Sequence, residues 1–449
     1  MYKFVLAIRY LFKRRISYFS VAATGLCVFV VLVVITVLSG LTREFKENTH
    51  RFVGDCVVSS KSLVGFGYYE EFVGILEEER IVEAVSPVIK SYAVVLVDGG
   101  RGSGTVEVMG IEPVAHSRVT GFSDWLYYNK GDAGGAFAPS YDPALVGCVP
   151  GIDIMLRRDL EGGYNIEEGL ARLKFEVSCF PLTARGAPAK GGAGEVSTKT
   201  FYYSDHVRSG LAKADGNLVY LPFDELQVLC GMGTEPKRVS ALFIKFKEGV
   251  KLDEACERVK LLWEEFAEGK AGAMHGELLV NVTVQSWKNY SRVIVAAVET
   301  EQTIMIVVFG MVGIITVFIV FVVFYMIVSH KSKDIGILKS VGVSRGDVLV
   351  LFLFFGFLVG VLGSVIGAIG GWGFLVHINQ IEGWLFEHFE FQLWNRRIYT
   401  IGDIPNVIDF RVLLGIIFSA VLACLAGAFV PSWQAAKLRP VETLQVSQL

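Results

Sequence analysis

Four stretches of this chain carry no charged residue: 16–42, 302–329, 348–376 and 412–436, of 27, 28, 29 and 25 residues. Each exceeds the roughly 20 residues a helix needs to cross about 30 Å of hydrocarbon, so all four can span a membrane. The run 302–329 alone holds 18 residues of the Ile, Val and Phe types, which together favour insertion by about 5–11 kcal/mol with no charge opposing it. The 42 Lys and Arg and 45 Asp and Glu all fall in the remaining segments, whose charge density is that of an ordinary soluble domain. Two materials are therefore joined in one chain, and a wholly soluble enzyme is excluded. A net charge of −3 leaves no basic footprint for nucleic acid.

Basic residues near the ends of spans stay on the cytoplasmic side. Lys3, Arg9, Lys13, Arg14 and Arg15 precede the first span, Lys331, Lys333, Lys339 and Arg345 lie in the 330–347 connector, and Lys437 and Arg439 follow the last span. The 377–411 connector instead sets Arg396, Arg397 and Arg411 against five acids, Glu382, Glu387, Glu390, Asp403 and Asp409. Both termini are then cytoplasmic, and the long insertion 43–301 lies outside. The predicted class is an α+β membrane protein: four transmembrane helices with a large mixed α/β extracytoplasmic domain inserted between helices 1 and 2. Its parts are an interfacial helix over 1–15, spans over 16–42, 302–329, 348–376 and 412–436, the outer domain 43–301, a cytoplasmic connector 330–347, a short outer loop 377–411 and a cytoplasmic tail 437–449. The first span is too long for the core of a cleavable signal peptide and reads as a retained anchor.

Lipid gives apolar helices no hydrophobic reason to associate, so small side chains that let backbones approach matter more than bulk. Gly356, Gly360, Gly363, Gly367 and Gly371 form a stripe along the third span, and Gly415, Ser419, Ala423 and Gly427 recur every four residues in the fourth. The two faces are expected to meet, within one chain or across a dimer. The spans contain no Asp, Glu, Lys, Arg or His, groups that ion-coupled carriers use as relays, so energy must arrive from elsewhere.

Within 43–301 the segments 55–60, 86–99, 105–113, 217–222 and 240–247 read as strands, while 69–83 and 252–269 read as helices. The Gly/Ala-rich passages 129–140 and 184–200 read as mobile loops or insertions. Five cysteines lie in this part, Cys56, Cys148, Cys179, Cys230 and Cys256, with Cys27 and Cys424 in spans. An odd number without metal-finger spacing leaves one thiol unpaired and permits a disulfide whose pairing the spacing does not give. Gly186 and Gly191 imitate the opening of a phosphate-binding loop without its Gly-Lys-Ser/Thr ending. His377, Glu382, Glu387, His388 and Glu390 cluster without HExxH spacing and read as solvated loop residues, so no metal is expected. No nucleophile and base pair is found: the chain is expected to be non-catalytic.

The connector SHKSKDIGILKSVGVSRGD (329–347) sets Ile335, Ile337, Leu338 and Val341 among charged residues, with Gly342 placed to end a helical turn and Ser344 and Asp347 arranged as a cap for the next span. A short helix held between two spans can pass on a push from a partner.

These residues lie within a longer resemblance. LAIRYLFKRR (6–15), TVLSGLTREF (36–45), SPVIKSYAVV (86–95), VEVMGIEP (106–113), SGLAKADGNLVYLPFDELQ (209–227), VQSWKNYSRVIVAAVETEQTIM (284–305), the run 329–371 and VPSWQAAKLRPVETLQ (430–445), in this order around four spans, resemble the LolC/LolE permeases of lipoprotein-releasing ABC systems, within the group that includes MacB and FtsX. The resemblance weakens between about 120 and 200. It implies a permease subunit that binds no cofactor directly, with ATP and Mg used by a separate cytoplasmic ATPase, and partners in a second permease (homo- or heterodimer), lipoprotein cargo and a periplasmic carrier. It also implies that 330–347 is a coupling helix docking the ATPase through Lys333, Asp334, Ile335, Ile337, Leu338 and Gly342. Lipid chains would enter beside the first two spans, near Val37, Leu38, Leu41, Ile304 and Met305. Alternatives are a MacB-like exporter of peptides or small molecules and an FtsX-like regulator of a cell-wall hydrolase. LolC-like and LolE-like roles are not distinguished.

Overall fold

The structure, a computed structural model, describes residues 15–98, 102–156, 164, 170, 172–189, 196–330, 332–389 and 404–438. The expected interfacial helix and most of the tail lie outside those residues. Along the chain come helix α1 (Arg15–Val53), strands β1 (Cys56–Ser60) and β2 (Phe66–Gly67), α2 (Tyr69–Glu78), β3 (Val82–Val97), β4 (Gly102–Ile111), β5 (Gly147–Pro150), β6 (Lys174–Cys179), β7 (Ser197–Tyr203) and β8 (Leu218–Pro222). Then follow α3 (Phe223–Leu229), β9 (Arg238–Val239), β10 (Ala241–Phe246), α4 (Leu252–Gly269), β11 (Val282–Ser286), α5 (Arg292–His330), α6 (Ser332–Ser340), α7 (Arg345–Phe389) and α8 (Phe410–Lys437), with several shorter helical turns between them. The chain forms two compact units, one of 1–42, 297–393 and 403–449 and the other of 43–296 and 394–402.

The outer unit is built on a nine-stranded sheet in the order β11-β1-β10-β3-β4-β8-β5-β7-β6. Strand β3 is 16 residues long. One of its edges pairs with β4 from Val88 to Val97. The other takes β10 at Val82–Val88 and β6 at Ala93–Val97. That second pairing closes β3, β4, β8, β5, β7 and β6 into a ring, which leaves fewer open edges than an unrolled sheet would. Side chains alternate between faces, so Cys56, Val58, Leu242 and Ile244 enter one core with α2 and α4, while Val57, Val88 and Phe243 enter the other with Phe122, Trp125 and Trp287.

The first passage expected to be loose, 129–140, is tied into this unit, and so is the end of the second. Asp205 is fully buried and accepts hydrogen bonds from the amides of Tyr127, Tyr128 and Asn129 and from Asn129 Nδ2 at 2.9–3.2 Å. This fixes the entry to 129–140, where Ala136 is buried in the core. Of the second passage, 197–200 begin β7, which pairs with β6 over six residues, and 190–195 lie outside the described residues. The local composition signals loops, and long-range pairing overrides it.

Helices α1, α5, α7 and α8 are each long and apolar enough to cross a membrane. They outrun the uncharged stretches, because hydropathy sees only the lipid-facing part of a helix. α1 continues to Val53, α5 begins at Arg292, ten residues before 302, and α7 continues to Phe389, so the first part of the expected 377–411 loop is helical. That extension has its own contacts: Asn379 Oδ1 accepts from the Ile404 amide at 2.8 Å and Asn379 Nδ2 donates to the Ile404 carbonyl at 3.2 Å. Glu382 is accordingly buried rather than solvated. No group of three or more metal-ligating side chains occurs among the described residues.

Candidate functional site

Two features of the membrane unit can do work: the α6 connector and a cavity between helices. α6 is ended by a C-terminal motif that needs a left-handed residue, and Gly342 supplies it with φ +100°. The Val343 amide reaches the Leu338 carbonyl and the Gly342 amide reaches the Lys339 carbonyl, each at 3.1 Å, a Schellman arrangement. At the start of α7 the Ser344 hydroxyl accepts from the Asp347 amide at 3.1 Å, the expected cap.

The connector is held to the end of the last helix. Lys339 Nζ donates to the Ala436 carbonyl at 2.7 Å and the Leu438 carbonyl at 2.6 Å. A cation on the free carbonyls of a helix C-terminus satisfies them and opposes the negative end of its dipole. The sequence marks Lys339 only as a basic residue of the connector, because its contact with 436 and 438 carries no local signature.

The expected docking residues divide by direction. Ile335 is 2% exposed and packs with Phe324, Ile327, Leu351 and Ala435, so it is a core residue of its own chain and not available to a partner. Leu338 is half-buried. Ile337 at 53% exposure and Val341 at 81%, one helical turn apart, are the outward apolar pair. Gly342 shapes the helix end. The side chains of Lys333 and Asp334 lie outside the described residues.

The glycine stripe of α7 serves two neighbours. A Cβ on Gly356 would sit 2.8 Å from Ala428 Cβ, and one on Gly360 would sit 3.0 Å from Val421 Cα, so the first half packs on α8. Beyond it, a Cβ on Gly363 would meet Thr24 at 2.7 Å, on Gly367 the Gly25 carbonyl oxygen at 2.3 Å and on Gly371 Leu32 at 2.9 Å. The second half therefore takes α1. Of the small residues expected to face this stripe from α8, Gly415 and Gly427 do not meet it. Gly427 faces α5, its Cβ position lying 2.7 Å from the Val317 carbonyl oxygen, while Gly415 has open space before it.

That open space is a cavity of 480 Å³ between α1, α5 and α8, lined by Thr24, Val31, Phe309, Gly313, Gly415 and Ser419 among others. Its hydroxyls are spent elsewhere: Thr316 donates to the Val312 carbonyl at 2.9 Å, Ser419 to the Ile416 carbonyl at 2.9 Å, and Thr24 Oγ1 meets Cys424 Sγ at 3.4 Å. What faces the interior is apolar, and the volume is that of a small-molecule site. Val37, Leu38, Leu41, Ile304 and Met305 do not line it. They continue α1 and α5 beyond its Ile35 and Phe309, and Ile304 is exposed.

Residues 306–440, which include all of α6, α7 and α8, match the FtsX-like permease C-terminal family. Over nearly its whole length the chain is 22% identical to the lipoprotein-releasing system transmembrane protein LolC of Xylella fastidiosa (strain 9a5c), across 98% of each chain. It is 23% identical to LolC of Neisseria meningitidis serogroup B, across 97% of this chain and 95% of that one. The chain is thus similar to LolC-type permeases along nearly its whole length. A shorter stretch is 30% identical over 118 residues to the macrolide export ATP-binding/permease protein MacB of Bdellovibrio bacteriovorus, 26% of this chain and 15% of that one. Among solved structures, the periplasmic region of MacB from Actinobacillus actinomycetemcomitans is 11% identical, with a TM-score of 0.30, over 56% of this chain and 97% of that one.

Proposed function

We propose that the chain is the membrane subunit of an ATP-driven system that releases lipoproteins from the membrane, working with a second permease and a separate cytoplasmic ATPase. The observation that carries this reading is the α6 connector. It presents Ile337 and Val341 outward while Ile335 anchors it inward and Lys339 pins it to the end of α8. A helix held on its inner side and capped at its end moves as one piece with the spans around it. An ATPase seated on its outer side can then move those spans. The apolar cavity between α1, α5 and α8 receives an acyl chain of the cargo, and Val37, Leu38, Leu41, Ile304 and Met305 guide it in. Both termini and the connector face the cytoplasm, and the 43–296 unit faces the other side, where it covers the protein part of the cargo and hands it to a soluble carrier.

Two experiments test this. Ile337→Asp and Val341→Asp together place two charges on the outward face without touching the core, so the ATPase should no longer copurify although the permease still reaches the membrane. Undiminished copurification overturns the docking role. Depletion of the chain should trap acylated proteins in the inner membrane, and normal lipoprotein sorting after depletion overturns release.

A further inference from the structure

The outer unit buries four of its cysteines in two contacting pairs. Cys56, on β1 between β10 and the edge strand β11, is hydrogen-bonded through its sulfur to Cys256 on α4. Cys179, the last residue of β6, is hydrogen-bonded to Cys230, which ends α3. All four belong to the same core cluster, and the fifth, Cys148, is buried without either of these contacts. Each pair is far apart in sequence, so the fold and not local spacing brings the sulfurs together. We infer that the 43–296 unit carries two structural disulfides, Cys56–Cys256 and Cys179–Cys230, which tie β1 to α4 and the ring-closing strand β6 to the end of α3.

Sulfurs already in hydrogen-bond contact need small side-chain rotations to reach the ~2.05 Å of a bond. Disulfides persist in oxidising compartments, so the inference rests on the reading that this unit lies outside the cytoplasm. In the thiol form the adjacent sulfur and burial hold Cys56 and Cys179 well above the ordinary thiol range. Burial does the same to Cys148. All four cysteines are buried, so an oxidant reaches them only before the core closes, and the bonds form then. In each, one thiolate attacks a disulfide-bonded oxidant protein and displaces one of its sulfurs. The second cysteine, losing its proton, then displaces the other. Two protons and two electrons leave the pair, and the oxidant ends as a dithiol.

The test uses the full chain in a bacterial membrane, quenched in acid, denatured and tagged with a mass-shifting maleimide. Of seven cysteines, three should tag before reduction (Cys27, Cys148 and Cys424) and all seven after it. Cys56→Ser and Cys230→Ser should each free one partner, giving four tags before reduction and six after. Seven tags before reduction overturn the inference. Five overturn one bond, and the serine variants say which. A separate variant, Val280→Cys, at a position 82% exposed, reports the compartment through a membrane-impermeant maleimide on intact spheroplasts. Its labelling alongside seven tags rejects the disulfides and keeps the orientation, its silence alongside seven tags rejects both, and three tags support the pairing in either case.

Discussion

The two units of this chain solve the packing problem in opposite ways. The outer unit is held by side-chain bulk: Phe72 is fully buried, with its ring 4.8 Å from that of Trp263 and 5.2 Å from that of Phe266. Its buried charges are met by designated partners, as Asp205 is met by backbone amides. The membrane unit is held by the absence of bulk, since α7 reaches α1 and α8 through glycines that have no room for a methyl group. Water makes burial of apolar surface favourable in the first case. In lipid that term vanishes, and close contact between backbones takes its place.

The sharpest break of that contrast is Gly367→Leu. A Cβ there lies 2.3 Å from the Gly25 carbonyl oxygen, a backbone atom that cannot swing aside, so α1 and α7 must separate. The expected outcome is loss of the folded membrane unit, measured as rapid degradation and aggregation in mild detergent. A variant that stays monodisperse would show the α1 contact to be dispensable. Next in size is Phe72→Ala in the outer unit, which should cost about 3–5 kcal/mol, read by denaturant unfolding. Asp205→Ala should follow at about 3 kcal/mol or less, because it strips several buried amides of their acceptor. Protease cleavage within 129–140 should then increase.

What was legible in the sequence follows the same division. The four spans and the strand segments of the outer domain were readable, because hydropathy and period-two alternation are local. The helix 252–269 was read to its ends, since its amphipathic pattern is complete. The return of β6 to β3 was not readable: it depends on residues more than 75 positions apart, and no local pattern announces it. The stripe from Gly356 to Gly371 was readable as a packing face, but not that it divides between α8 and α1, because smoothness does not name its partner. The same limit explains Ile335. On a short amphipathic connector, the apolar side facing the chain's own core and the side facing a partner carry the same residue types. The 129–140 passage looked mobile because a carboxylate satisfied by distant amides leaves no trace in its neighbourhood.

A smaller effect distinguishes the outer unit by pH. His116 is fully enclosed, with Nδ1 3.1 Å from the Ser86 hydroxyl, and burial, helped by the Lys90 charge, pushes its pKa down to about 3 from 6.5. Below pH 6.5 the unfolded chain takes up a proton that the folded chain refuses, so stability falls as pH drops through the window from 6.5 towards 3. The slope approaches about 1.4 kcal/mol per pH unit. Unfolding midpoints between pH 7 and 5 should show this slope in the parent and lose it in His116→Gln. An unchanged slope would place the linkage on other groups.

The smallest effect is the most discriminating for the membrane unit. Gly415 lies in an apolar helix like Gly367, yet nothing stands within 4 Å of its Cβ position and it borders the 480 Å³ cavity. Gly415→Ala should therefore leave stability within about 0.5 kcal/mol of the parent, whereas Gly367→Ala already meets a carbonyl oxygen. If a small-residue pattern alone governed packing, the two alanine variants would behave alike. If the cavity is a place the protein keeps open, enlarging the side chain at 415 step by step, from Ala to Leu to Phe, should leave thermal stability nearly flat while cargo release falls. A parallel loss of stability along that series would mean that α8 needs the glycine for packing after all, and that smallness at 415 serves contact instead of space.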